Sequence, residues 1–267
     1  MRLPAVFCLA AAAAAFFIGA PARAATESVY LEELTWTELR NAVAAGHTTV
    51  IVPVGGVEQS GPHMALGKHD VRVRVLAGRI AAQLGNAVVA PVVAYVPEGT
   101  IDPPTGHMRF PGTISVPTDA FKAVLEGAAQ SLRRAGFRDV VLIGDHGGYQ
   151  GDLGAVAAKL NRAWVSSPAR AHFVADYYSA SVEPFNAALR ERGLSEAQIG
   201  KHAGAADTSL MLAVDPHLVR ADRMAMPPAD GDGTTGDARA STAALGQLGA
   251  DLMVSRAVAA IRRAIVR

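Results

Sequence analysis

Residues 48–70 read TTVIVPVGGVEQSGPHMALGKHD. The run from Thr48 to Val54 is β-branched or apolar with no polar alternation, as expected for a strand buried on both faces of a sheet. Gly55 and Gly56 follow, where the backbone can turn tightly or approach another group closely. Beyond the loop, VRVRVLAGRIAAQLG (71–85) has a helical period and a closing glycine at Gly85. Strand, glycine turn and helix in this order are the repeating unit of a parallel sheet covered by helices.

The rest of the chain repeats that unit. FRDVVLIGDHGGYQGDLGAVAAKLN (137–161) is a second buried strand running through a glycine turn into a helix. NAVVAPVVAYV (86–96) and AHFVADYY (171–178) are expected as further strands. Helices are expected over 31–46, ending at Gly46, and over 118–136, capped by Thr118 or Asp119 and ended by Gly136. Two more are expected, one from near Asp207 and one over 242–265; the Gly/Asp-rich stretch 229–237 reads as a surface loop. The fold class is therefore α/β, a three-layer αβα sandwich around a mostly parallel sheet. No repeat or second composition regime appears, so residues 25–267 form a single domain.

The start of the chain stands apart. MRLPAVFCLAAAAAAFFIGAPARAATES has an early Arg2, an apolar run to about Ala20, and the triplet Ala22-Arg23-Ala24. These are the parts of a cleavable secretory signal over residues 1–24, which implies a secreted or periplasmic protein. The one cysteine, Cys8, lies inside that segment, so the mature chain has neither disulfide nor thiolate. With 25 basic and 24 acidic residues the formal charge is +1, and with the two signs interspersed along the chain neither nucleic-acid nor anionic-membrane affinity is expected. A small-molecule substrate is the default partner.

Polar residues cluster where strands end, the edge at which such sheets bind ligands. Glu58, His63, His69 and Asp70 follow the first strand, and Asp145 and His146 end the second, before Gly147 and Gly148. KHAGAADTSLML (201–212) adds His202 and Asp207. Each has a plain structural reading, Asp207 as a helix N-cap and the histidines as loop hydrogen bonders. Three separate segments, each with an imidazole and a carboxylate, also make an oxygen- and nitrogen-ligated divalent site suited to zinc, manganese or iron rather than calcium. A serine hydrolase using Ser60 is disfavoured because GVEQS lacks the Gly-x-Ser-x-Gly elbow.

PVGGVEQSGPHMALGKHD, HMRFPGTISV, GDHGG and HAGAADTSLML, in that order, resemble the creatininase (creatinine amidohydrolase) family of metal-dependent amidohydrolases. The resemblance implies hydrolysis of a non-peptide C–N bond, in an amide or cyclic amide, by metal-activated water. It implies one or two divalent ions, zinc first and Mn2+ or Fe2+ as alternatives, and a homo-oligomer of the hexameric kind. Carried over residue by residue, Glu58 and His146 match metal ligands, His202 matches the histidine that moves protons, and Asp207 stands where Glu is usual.

There are departures. Ser60 replaces a ligand histidine, Gly148 occupies a carboxylate position, and Asp145 replaces Asn. His69 falls where a metal-bridging Asp is usual, with Asp70 one place later, so either one can be the ligand. A neutral imidazole has one lone pair and cannot bridge two ions, so a His69 ligand favours a single metal. His63 is either a replacement ligand or a partner of one. His107, Arg109 and Tyr149 are candidates for the substrate wall, Arg109 through a bidentate pair with a carboxylate. Trp36 and Trp164 do not lie where the family's creatinine enzymes have their aromatic pair. The alternative is an exported binding or structural protein that retains a degenerate site.

Overall fold

The computed structural model describes residues 28–266. The signal segment expected over 1–24 lies outside them. Four strands form one parallel sheet in the order β2-β1-β3-β4, with β1 Thr49–Val54, β2 Ala87–Val89, β3 Asp139–Gly144 and β4 Arg170–Phe173. β1 and β3 run in register over their full lengths, Thr49 opposite Asp139 through Val54 opposite Gly144. Both are buried at every position, as their uninterrupted apolar sequence requires.

Successive side chains leave opposite faces of a strand, and the core divides accordingly. Val50, Val52, Val140 and Leu142 pack on one face with Phe121 and Leu125 from α3 (Thr118–Arg134) and Leu153 and Val156 from α4 (Gln150–Ala163). Ile51, Val141 and Ile143 pack on the other with α2 (Lys68–Leu84), α5 (Asp176–Arg190) and the long α9 (Ala243–Ile265). Helices on both faces of a parallel sheet give the expected three-layer αβα sandwich.

The remaining helices are α1 (Trp36–Ala44), α6 (Glu196–Ile199), α7 (Ala205–Val214) and α8 (Ala221–Met224). α1 starts at a capping box, Thr35 with Glu38. α7 lies against α9 so closely that a Cβ at Gly246 would fall 1.7 Å from the Ser209 carbonyl oxygen.

Several boundaries differ from the sequence reading. α2 begins at Lys68, so Lys68, His69 and Asp70 form its first turn. The strand expected over 86–96 is continuous only over Ala87–Val89, because the proline at 91 has no amide to give a ladder, and beyond it only an isolated bridge pairs Val93 with Val54. The stretch 171–178 is strand only to Phe173; Tyr177 and Tyr178 belong to α5. The loop 229–237 folds back over the site instead of lying free, with Thr235 accepting from the amides of Lys201 and His202 at 2.7 and 3.2 Å.

Candidate metal centre

The chain reverses direction across the sheet between β1 and β3, since β2 lies on the far side of β1. That switch point opens a crevice at the carboxyl edge. Glu58 reaches it from the loop after β1, and Asp145 and His146 from the end of β3. His69 arrives from the first turn of α2. The approach depends on Gly55, where a Cβ would lie 2.0 Å from Asp70 Oδ1 and 2.8 Å from its Cα, so any side chain there would push α2 away.

His69 is the hinge of the cluster. Its Nδ1 donates to Asp145 Oδ1 at 2.6 Å, and its Nε2 stands 2.8 Å from Glu58 Oε1. Asp145 is fully buried and also accepts from Arg72 Nε at 2.8 Å and from the Tyr177 hydroxyl at 2.7 Å. Burial alone would raise the Asp145 carboxyl, but the charge of Arg72 and the bond from His69 outweigh it and hold it below the usual range. Burial likewise opposes ionisation of Glu58, and the His69 bond with the charge of Lys68 reverses that, leaving it a carboxylate well below the ordinary range. His69 feels burial and Lys68 pushing it down, while its bonds to Asp145 and Glu58 prevail and raise it.

One ligand atom each from Glu58, His69 and His146 lies within 4.8 Å of the others. Glu58 Oε2 is buried with no hydrogen-bond partner, 3.7 Å from His146 Nε2. An orphaned carboxylate oxygen beside the Nε2 atoms of His146 and His107, at 3.7 and 3.6 Å, fits a divalent cation, because an unpaired buried acceptor is costly and an ion would satisfy it. The donor set of one oxygen and two nitrogens is one zinc accepts, with a position left for water or substrate. Asp145 completes it as the carboxylate that orients a ligating imidazole through the opposite nitrogen.

A second trio, Glu58, His107 and His202, also lies within 4.8 Å. The two rings stack at 4.2 Å between centroids. His202 Nε2 donates to the Gln59 carbonyl at 2.8 Å, which leaves Nδ1 with its lone pair 3.7 Å from Glu58 Oε1. Burial, then the charge of Lys68, lowers His202 to about 4, so it is neutral at pH 7. Its position is set by Ala203, which takes a left-handed φ of 55° at the entrance to α7. A non-glycine residue there is strained, which is common where a site dictates the backbone. Asp207 lies in the first turn of α7, after Gly204 as the cap, and accepts from Lys68 Nζ at 2.7 Å and Arg72 Nη1 at 2.8 Å.

The other sequence candidates lie elsewhere. Asp70 Oδ1 accepts from the Gly56 amide at 2.8 Å, and neither trio includes it. His63 Nε2 bonds Thr208 Oγ1 at 2.9 Å, away from both trios. The Tyr149 hydroxyl is buried and bonds the carbonyls of Gly55 at 2.6 Å and Val54 at 2.9 Å, so the residue pins β1 to β3 rather than walling a substrate. Arg109 is exposed and does not line the cavity, whereas His107 does. The site also contains residues that the sequence did not single out: Lys68, Arg72, Gln59 and Glu98. Lys68 and Arg72 are four apart on one helix face, and Glu98 beside Gly99 reads as an ordinary loop carboxylate.

Fold and site together define an α/β protein with a metal-type ligand set at the switch point of a parallel sheet. The family model for creatininase, described as creatinine amidohydrolase, matches residues 32–261, and the chain belongs to that family. It is 30% identical over 212 residues to a creatinine amidohydrolase of Pseudomonas putida, covering 76% of this chain and 79% of that one. It is 37% identical over 116 residues to a mycofactocin precursor peptide peptidase of Mycolicibacterium smegmatis, covering 42% of this chain and 44% of that one. Among solved structures, a mutant creatininase of Zn-Zn type superposes with a TM-score of 0.71 at 26% identity, covering 91% of this chain and all of that one. A manganese creatininase gives 0.71 at 28% identity over 90% of this chain and all of that one.

Proposed function

We propose that this chain is a metal-dependent hydrolase of a non-peptide C–N bond, in an amide or cyclic amide, with the divalent ion held by Glu58, His69 and His146. The observation that carries this reading is the orphaned Glu58 Oε2, 3.7 Å from His146 Nε2 and on a carboxylate whose other oxygen meets His69, in a cavity of about 790 Å3. Zinc is the first choice for the donor set, with manganese and iron as alternatives. When bound, such an ion supplies positive charge where the oxyanion of the cleaved amide develops and acidifies water.

The chain's own residues supply the rest. Asp145 holds the Nδ1 proton of His69, so Nε2 is the atom free to ligate once its proton is displaced. His202 presents an unprotonated Nδ1 to the cavity; it takes up the proton released in the attack and returns it to the departing nitrogen, a more basic group. His107, stacked on His202, forms the adjoining wall. The cavity continues past Tyr178, Asn186 and Glu196, giving room for a substrate larger than a single small ring.

Export and self-association are part of the same proposal. The segment 1–24 supports secretion or a periplasmic location, with no membrane attachment after cleavage. A homo-oligomer of the hexameric kind rests on the family resemblance, and exposed Trp36, Tyr95 and Ile101 are apolar surface that self-association would cover. The test of the function is metal analysis of the purified mature protein, followed by a screen of amides and cyclic amides. A protein that holds no zinc, manganese or iron after incubation with each would put a non-catalytic binding protein in its place.

A further inference from the structure

A mutant creatininase that superposes on this chain is of Zn-Zn type, and in this chain a lysine ammonium lies 3.5 Å from Glu58 Oε1 and 2.7 Å from Asp207 Oδ2. We propose that the centre takes a single divalent ion per chain, because the Lys68 ammonium supplies the second positive charge at Glu58 and Asp207. This rests on the metal-dependent reading above.

The first observation is the placement of Lys68. Its side chain is 1% exposed and lines the cavity, with Nζ 2.7 Å from Asp207 Oδ2 and 3.5 Å from Glu58 Oε1. A buried ammonium is tolerated only where anions compensate it, and here they do. The helix does not explain it, since the first turn of α2 presents the positive end of the backbone dipole and favours acidic residues. One oxygen of Glu58 thus faces Lys68 and His69, and the other, Oε2, is left for an ion.

The second observation concerns Gln59, which removes the competing trio. Gln59 Oε1 accepts from the Gly61 amide at 2.9 Å, and its Nε2 donates to the Gly233 carbonyl at 3.0 Å, which fixes the orientation of the amide. The second amide hydrogen points to His107 Nδ1 at 2.6 Å. Because Nδ1 accepts, the ring proton of His107 sits on Nε2, the atom facing Glu58 Oε2 at 3.6 Å, and an N–H cannot ligate. His202 has its Nε2 proton committed to the Gln59 carbonyl, so the stacked pair offers one lone pair, not two.

Charge agrees with both. Around the floor of the cavity, with His69 neutral as a ligand, the carboxylates Glu58, Asp145 and Asp207 face the cationic side chains of Lys68 and Arg72, a balance of one negative charge. One divalent ion turns that balance to +1, whereas two would leave +3 among side chains that are themselves buried.

The test counts metal in the full mature chain after stripping and equilibrium dialysis against Zn2+ or Mn2+, with bound ion measured by mass spectrometry. One ion per chain is expected; two would overturn the proposal while leaving the metal-dependent reading intact, and none would remove that reading itself. Lys68→Met deletes the ammonium at nearly constant volume and should tighten binding of the ion at least about tenfold, since the competing charge on Glu58 is gone. Lys68→Arg keeps the charge and should stay within about threefold of wild type. A folded Lys68→Met protein with unchanged or weaker affinity would overturn the proposal. Should that variant fail to fold, the wild-type count still decides.

Discussion

Replacing Glu98 with Gln should flatten one limb of the pH–stability profile of the metal-free protein. The Glu98 side chain is fully shielded from solvent, and neither Oε1 nor Oε2 has a hydrogen-bond partner among the described residues. It lies against Gly56, where a Cβ would come within 2.7 Å of Oε1, and 3.5 Å from His146 Nδ1. Burial first, and the neighbouring charge of Glu58 second, push its carboxyl from 4.5 up to about 8. The folded protein therefore keeps a proton that the unfolded chain has released. Stability from this group is fully present below pH 4.5 and is lost as pH rises through about 8. At ~1.4 kcal/mol per pH unit, the loss between pH 5 and pH 8 is about 4 kcal/mol. Gln has the same shape and no proton to lose. Urea unfolding of both metal-free proteins across that range should show the wild-type stability falling by that amount relative to Glu98→Gln. Subtracting one profile from the other removes the titration of every group the two proteins share. A difference that changes by less than about 1 kcal/mol over the range would refute the reasoning.

The ligand set separates by metal content: His69→Ala should lose the ion and Asp70→Ala should retain it, since Asp70 is occupied by the Gly56 amide, and the reverse order would overturn the assignment. His202→Ala should keep its metal and lose turnover by about 10²-fold or more, as expected for a residue that moves a proton rather than holding the ion. Gly246→Ala forces a Cβ against the Ser209 carbonyl and should cost about 3 kcal/mol, a fall in Tm of roughly 6–12 °C by calorimetry; a fall under about 2 °C would show that α7 and α9 separate freely. Mass spectrometry of the exported protein should find a mature N-terminus at Ala25 or close to it, and an intact Met1 on a cytoplasmic protein would sink the export proposal. Light scattering at micromolar concentration should give a mass above that of one chain, and a monomer would count against the oligomer.

The sheet was legible where burial left only one solution. Thr49–Val54 and Asp139–Gly144 are apolar almost throughout because both faces are covered, and no amphipathic helix reads that way. Legibility failed where the signal was propensity alone. Tyr177 and Tyr178 looked like strand residues, but aromatic preference for strands reflects a half-buried surface to pack on. Tyr177 finds its burial from α5, with its hydroxyl on Asp145 across the site. The loop 229–237 looked free because its residues are those of turns, yet turn residues also supply the backbone carbonyls that Gln59 and His202 need.

The site divides along the same line. Glu58, His69, His146 and His202 stand beside glycines at the ends of buried strands or before a helix, where a titratable group has little structural reason to be. Lys68 and Arg72 were hidden because residues four apart on a helix suggest a solvated face, and their burial depends on carboxylates from β3 and α7, far away in sequence. A local clue existed nonetheless. Gly67 gives α2 no side-chain cap, and its first turn opens Lys68-His69, setting positive groups against the positive end of the helix dipole. Asp70 in the same turn suits the dipole, but the buried Lys68 and His69 are met by the distant carboxylates Glu58, Asp145 and Asp207, so buried positive groups at a helix start point to the site that compensates them.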